Sequence, residues 1–263
     1  MNDTRCADGS SLRKVRLRGL DEKLMQQRHI RRTQEPPSFV REEREQRNVY
    51  PHGQQLKHRD ASATLKYRRS RWSWVGDEKA GVRRREVFCW VQVNRRRVAA
   101  LQLFEFDASP WLSNEEFWLI MDTETSLESQ LADVLCGAWR RFCDDVSMFG
   151  SLLDFRMAWA VPTNCFPGLL TAAARHLISR EFPNHCLLTM KAFPLEYEGN
   201  APAEAPSHSG LVFRQRAMVR YYEKEFGVRP FPGQSGADGW LYRVDPRFEA
   251  RIKPPRPVIA IPT

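Results

Sequence analysis

Two apolar strand-like runs joined by one helix-like run constrain this chain most. SLLDFRMAWAV (151–161) and HCLLTMKAF (185–193) flank GLLTAAARHLISREF (168–182). Short runs of β-formers on either side of a segment with helical spacing make a strand–helix–strand unit. Such a unit closes as a parallel strand pair with a right-handed crossover. Between the first strand and the helix, the turn PTNCFPG (162–168) carries two prolines and one glycine. Helix starts of this kind are where α/β proteins present backbone N–H groups to phosphates, so the turn is the first candidate binding element.

The flanking segments extend this unit in both directions. EVFCWVQVN (86–94) and RVAALQLFEFD (97–107) are rich in β-formers, and the Asn-Arg-Arg between them predicts a hairpin turn. EEFWLIMD (115–122) reads as a third strand. In TSLESQLADVLCGAWRRFCDDV (125–146) the apolar residues recur at helical spacing, with Ser126 as the expected cap and Glu128 in the first turn. RQRAMVRYYEKEFG (214–227) reads as a helix stopped by Gly227, and GWLYRV (239–244) as a last strand. The order β-β-β-α-β-α-β-α-β predicts a mixed α/β (α+β) fold: antiparallel N-terminal strands, a parallel element and flanking helices over about residues 85–245. A low-complexity loop at 198–210 reads as an insertion, and the Pro-rich stretch 246–263 as a C-terminal tail.

Charge divides the chain unevenly. Residues 1–80 hold 19 Lys and Arg against 11 Asp and Glu, whereas the remainder holds 22 against 21. This first third is poor in aliphatics, without a sustained apolar period, and reads as a basic, largely disordered arm. Short helices at 11–30 and 38–48 are expected within it. Such an arm suits nucleic acid, an anionic membrane surface or an acidic partner, or is simply a solvated tail. Trp72, Trp74 and Tyr67 among Arg68, Arg69 and Arg71 give the aromatic–basic interleaving of single-strand binders. The six cysteines are scattered without a C-x-x-C pair, which argues against a zinc ribbon or a disulfide framework and for reduced thiols in a cytoplasmic protein. No run approaches the roughly 20 apolar residues of a membrane span, and the first twenty residues lack a secretory h-region. Neither a membrane nor a metal partner is expected.

MDTETSLESQLADVL, GSLLDFRMAWAVP before a turn and helix, LLTMKAFPLEYEG and RAMVRYYEKEFGV occur in an order that resembles the GNAT superfamily of N-acetyltransferases. The likeness is greatest to a bacterial branch with an F-P-L-x-[YF]-E segment after the fifth strand and a Tyr-Tyr pair in the next helix. The resemblance implies transfer of acetyl from acetyl-CoA to an amine-bearing acceptor by direct attack. It implies pantetheine contacts on the strand before the turn, at Trp159 and Val161. It places pyrophosphate on the turn and helix start, at Cys165, Gly168, Leu169, Leu170 and Thr171. Tyr222, or alternatively Tyr221, would protonate the departing thiolate. Asp154 is the candidate base, with Glu105 and Glu196 as further carboxylates, while His176 reads as a surface or packing residue.

The turn departs from the family pattern. Aligned on Pro162, the motif's basic or amide position falls on Cys165 and its last small residue on Leu170, so only Gly168 matches. Pro167 removes one N–H donor. Forgoing one charge-assisted hydrogen bond to the phosphate costs about 1.5–3 kcal/mol. The alternative is a GNAT-like framework that has lost catalysis and serves as a binding module, its basic arm contacting nucleic acid or an acidic protein.

Overall fold

The computed structural model describes residues 38–45, 49–58, 61–76, 81–161, 164–193, 208–253 and 255. The chain divides into two units between residues 45 and 46. Of the first unit, only helix α1 (Ser38–Glu45) is described. The expected helix at 11–30 and most of the arm therefore lie outside the described residues, as do Glu196 and most of the 198–210 loop.

The second unit is a mixed α/β fold built on a nine-stranded sheet. Its strands are β1 (His52–His58), β2 (Ala61–Arg69), β3 (Ser73–Trp74), β4 (Val82–Val93), β5 (Arg96–Ala108), β6 (Ser151–Ala160), β7 (His185–Lys191), β8 (Arg229–Pro230) and β9 (Trp240–Val244). The order is β1-β2-β4-β5-β6-β7-β9-β8, with β3 beside β4. The pair β6–β7 is parallel and every other pair antiparallel. Helix α4 (Leu169–Glu181) supplies the crossover between the parallel strands, as the sequence predicts. Asn94 and Arg95 turn the β4–β5 hairpin with φ of 50° and 65°. Left-handed values at both central positions suit the twist of the flanking strands.

Residues 52–74, expected in the disordered arm, belong to the sheet, so the folded unit begins well before residue 85. Leu56 on β1 and Ala63, Leu65 and Tyr67 on β2 are buried, and the residues between them point outward. One apolar side chain in two is enough when the neighbouring β4 supplies the rest of the buried surface. The alternation is carried partly by Ala and Tyr, so aliphatic content hides it. Two of the arginines here are already paired, Arg68 with Glu86 at 2.9 Å and Arg69 with Glu181 at 3.3 Å. At the other end, residues 246–250 form a turn, and Ile252 is buried in the core rather than trailing away.

Residues 115–122 form a helix, not the expected strand. Helix α2 (Asn114–Asp122) starts with a capping box in which Ser113 accepts from the Glu116 N–H and Glu116 reaches back to the Ser113 N–H. Those reciprocal bonds satisfy two orphan donors and override the strand preference of Phe-Trp-Leu-Ile. Helix α3 (Ser126–Ala138) is capped by Thr125 rather than Ser126 and ends earlier than its spacing suggests; a π-helical turn follows at 143–147. Helix α5 (His208–Phe226) begins before the expected residue 214, and the short α6 spans Gln234–Ala237.

Each face of the sheet is covered. Phe117 and Met121 of α2 and Leu131 and Leu135 of α3 pack with Leu152, Leu187 and Tyr242 on one side. Leu169, Ala173 and Leu177 of α4 and Phe226 of α5 pack with Leu153, Phe155 and Leu188 on the other. Phe117 and Leu119 would share a face in a strand but oppose each other in a helix. Phe117→Ala should therefore cost about 3–5 kcal/mol, whereas Leu119→Ala, at a position 53% exposed, should change stability by less than about 0.5 kcal/mol. Urea unfolding of the two variants checks this, and equal large losses would contradict the helix.

Candidate functional site

The parallel pairing of β6 with β7 runs only from Ser151 to Phe155. Strand β6 continues to Ala160 paired with β5 alone. At the point of departure its register against β5 shifts: Gln102 faces Met157 while Leu103 faces Phe155, which leaves Arg156 as the inserted residue of a β-bulge. The insertion changes which side chains face α4 and α5. Before it these are Leu153 and Phe155; after it they are Ala158 and Ala160.

A cavity of about 490 Å³ opens there, between the free half of β6, the start of α4 and the second half of α5. Ala158 and Ala160 meet Ala174 of α4 and Ala217 of α5 across it. Four alanines cannot fill a layer that larger side chains would close. The bulge keeps Met157 and Trp159 out of this space. The Val161 N–H donates to Val98 C=O on β5 at 2.8 Å. By the alternation of an antiparallel ladder, Trp159 directs its backbone groups to β5 as well, while Ala158 and Ala160 direct theirs into the opening. The freed edge is thus carried by the alanines, not by Trp159 and Val161, which the resemblance implied.

The turn into α4 is partly self-satisfied. The Asn164 and Cys165 N–H groups both donate to Val161 C=O, at 3.1 and 3.0 Å, and Leu169 N–H donates to Phe166 C=O at 3.0 Å. Burial pushes the Cys165 thiol pKa up, and the Leu170 backbone beside it pulls it partly back. Of the three helix-start amides singled out in the sequence, Leu169 is thus taken and Leu170 sits against a thiol. Gly168 has φ of +80°, which a side chain resists. His58 of β1 donates through Nε2 to Pro167 C=O at 3.1 Å and would lie 3.2 Å from a Cβ at residue 168.

Both tyrosines border the cavity. The Tyr221 hydroxyl, on a side chain 44% exposed, shares a hydrogen bond with the Thr171 hydroxyl and so joins α5 to the first turn of α4. The Tyr222 ring packs edge-on against Phe226 with centroids 6.0 Å apart. Burial, reinforced by neighbouring Tyr221, raises the Tyr222 hydroxyl pKa to about 12. It therefore stays protonated to a higher pH than an ordinary tyrosine.

The carboxylates lie elsewhere. Asp154 faces the α3 side of the sheet, opposite the cavity, because it precedes the bulge by an odd step from Phe155. It accepts from Arg156 Nε at 2.7 Å and from the Thr189 hydroxyl at 3.2 Å. Arg156 also reaches Glu128 of α3 at 3.2 Å, and Glu128 meets Arg84 at 3.2 Å. Burial pushes the Asp154 pKa up, and the Arg156 guanidinium pulls it back. Asp154 is accordingly a buried carboxyl committed to Arg156 and Thr189 rather than a base open to the cavity. Glu105 is likewise committed, to Arg85 and to the Ser151 hydroxyl at 2.6 Å. His176 donates to Gln54 Oε1 at 2.6 Å, a packing role as expected. Among the described residues lining the cavity there is no carboxylate and no histidine.

Sequence reading missed Ala158, Ala160 and Ala217, since an alanine carries no chemical signal, and His58, which lies over a hundred residues from the turn it touches. Among the described residues, no three His, Cys, Asp or Glu groups converge as metal ligands, and no helix is long and apolar enough to cross a membrane. Comparison with models of known families, with curated proteins and with solved structures finds no match to this chain. The buried ion network makes its own prediction. Arg156→Met leaves Asp154 and Glu128 buried without their shared cation and should cost about 3–5 kcal/mol in urea unfolding; a loss below about 1 kcal/mol would contradict the network.

Proposed function

We propose that the chain is an acyl-CoA-dependent N-acyltransferase of GNAT type, transferring acetyl from acetyl-CoA to an amine. The observation that carries this reading is the separation of β6 from β7 at the Arg156 bulge, which frees a strand edge inside a cavity bounded by a helix start and a tyrosine pair. A pantetheine arm is an extended chain of amides and methylenes. Its amides pair with the free N–H and C=O groups of Ala158 and Ala160, and its methylenes lie against the alanines and Phe155. The pyrophosphate lies at the first turn of α4, held by the helix dipole and the Thr171 hydroxyl.

A neutral amine attacks the thioester carbonyl carbon. The carbonyl oxygen takes the negative charge and is stabilised by an N–H of the freed edge. As the tetrahedral intermediate collapses, the C–S bond breaks and the CoA thiolate takes the Tyr222 proton. The proton released by the amine passes to water, since the cavity's described residues include no carboxylate or histidine, and water returns a proton to the Tyr222 phenolate. The products are the amide and CoA.

A second reading is favoured by the occupied Leu169 N–H and the thiol against Leu170: a GNAT-like binding module without turnover. Residues 1–45 hold 11 basic and 8 acidic residues, and 46–80 hold 8 and 3, so much of the excess positive charge sits where β1–β3 form. A salt series of nucleic-acid gel shifts with the full chain tests this reading, because phosphate contacts weaken steeply with ionic strength.

Calorimetry with acetyl-CoA and with CoA separates the two readings. The transferase reading expects saturable heat for both ligands, abolished in Ala160→Leu, whose side chain fills the cavity. No heat at millimolar ligand with a folded protein would sink it. Alkylation of Cys165, followed by peptide mass spectrometry, should slow when acetyl-CoA is present. If Tyr222 is the acid, Tyr222→Phe should lower kcat by about 10²–10⁴-fold. An acid works in its protonated form and fails as pH rises through its pKa. With that pKa raised to about 12, the rate should show no decline from this group between pH 8 and 10, where an ordinary tyrosine with a pKa of about 10 would already be losing its proton.

A further inference from the structure

A second cavity, of about 440 Å³, lies further along α4, beyond Phe226, which borders both spaces. It falls in the range of about 300–1,000 Å³ typical of small-molecule sites. Its walls differ in kind. They combine the guanidinium groups of Arg175, Arg243 and Arg247 with His185 and Asp245, and the apolar side chains of Ile178, Phe182 and Phe226.

Carboxylates are fewer than arginines around this cavity. Arg247 is held by Asp245, at 2.8 Å, and Arg175 by Glu225, at 3.2 Å. Arg243 makes no ion pair among the described residues. Its NH1 donates to Phe226 C=O at 2.6 Å, and its buried Nε has no acceptor. Burial first, and then the charge of Arg175, pull the Arg243 pKa down from its ordinary value, while Asp245 offsets part of this. His185 is buried, with its Nδ1–H donating to Phe182 C=O at 2.6 Å. Its Nε2 has no hydrogen-bond partner and lies 3.8 Å from Asp245. A native fold rarely leaves two such groups beside one cavity without a reason. An incoming phosphoryl group offers the acceptor that Arg243 Nε lacks, and a P–OH of its singly protonated form donates to His185 Nε2.

We propose that this cavity binds a small organic monophosphate, its phosphoryl group between Arg243 and Arg175 near His185 and its organic body against Ile178, Phe182 and Phe226. Arginine forks match phosphoryl oxygens in geometry as well as charge. The apolar walls give the organic part a place that free phosphate would leave empty. This site stands independently of what the alanine-lined cavity takes, because the two share only Phe226.

Titration of the full chain with phenyl phosphate and with inorganic phosphate, followed by calorimetry, tests the proposal. Phenyl phosphate should bind saturably, at least tenfold more tightly than inorganic phosphate. Arg243→Met should weaken it by about tenfold or more, as expected when a charge-assisted hydrogen bond is removed. Arg175→Gln, on a side chain 52% exposed, should weaken it severalfold. Thr171→Val, at the other cavity, should leave it unchanged. Absence of phenyl phosphate binding at millimolar concentration, or equal affinity in Arg175→Gln and the unaltered chain, would overturn the site. Inorganic phosphate binding as tightly as phenyl phosphate would overturn the organic occupant, and sensitivity to Thr171→Val would move the phosphate to the other cavity.

Discussion

The inserted residue Arg156 is the constraint on which the rest of this structure depends. It sits where β6 parts from β7, and its guanidinium lies between Asp154 of its own strand and Glu128 of α3. A charge so deeply buried is tolerable only when paired and hydrogen-bonded. The network therefore holds α3 against the sheet at the place where the sheet opens. The same insertion advances the alternation of β6 by one residue. Alanines, rather than Met157 and Trp159, then face α4 and α5, and space remains where a regular strand would have filled it.

That single shift links packing to chemistry. Strand edges are costly to leave unpaired because each exposes N–H and C=O groups. Here the edge is sheltered under two helices and kept free by small side chains. The tyrosine pair of α5 and the hydroxyl of Thr171 close the space at the other side, and burial holds the Tyr222 proton in place into the alkaline range. The turn that starts α4 spends some of its donors on itself, through Val161 and Phe166. On the proposed reading, a phosphate there would lean on the helix dipole more than on a ring of free amides. The second cavity has the opposite character: its arginines outnumber the carboxylates that neutralise them.

Legibility in the sequence followed the range of the interactions involved. Helix α4 and its two apolar strands were readable because their periods are strong and local. The β4–β5 hairpin was readable from its runs of β-formers. Residues 115–122 were not, because four β-favouring side chains masked a capping box set by Ser113 and Glu116. The β1–β2 pair was not, because its buried face consists of Leu56, Ala63, Leu65 and Tyr67 spread among polar residues and completed by β4. Of the residues that line the cavity, the tyrosines and part of the turn were named beforehand, the tyrosines through the resemblance. Asp154 was misassigned because a carboxylate on an apolar strand looks the same in sequence whether it faces a cavity or a buried arginine.

By itself, then, the sequence determined the strand–helix–strand crossover, the hairpin, the helix that carries Tyr221 and Tyr222 and the mixed α/β class. These depend on side-chain periodicity and turn preferences over a few residues, which a linear text contains. The tertiary structure alone decided where β6 leaves β7, which residues its bulge turns inward, that His58 meets the Gly168 turn, and that Arg175 and Arg243 share a cavity. Those outcomes depend on register and packing between segments far apart in the chain, where a one-residue shift exchanges the buried face for the exposed one.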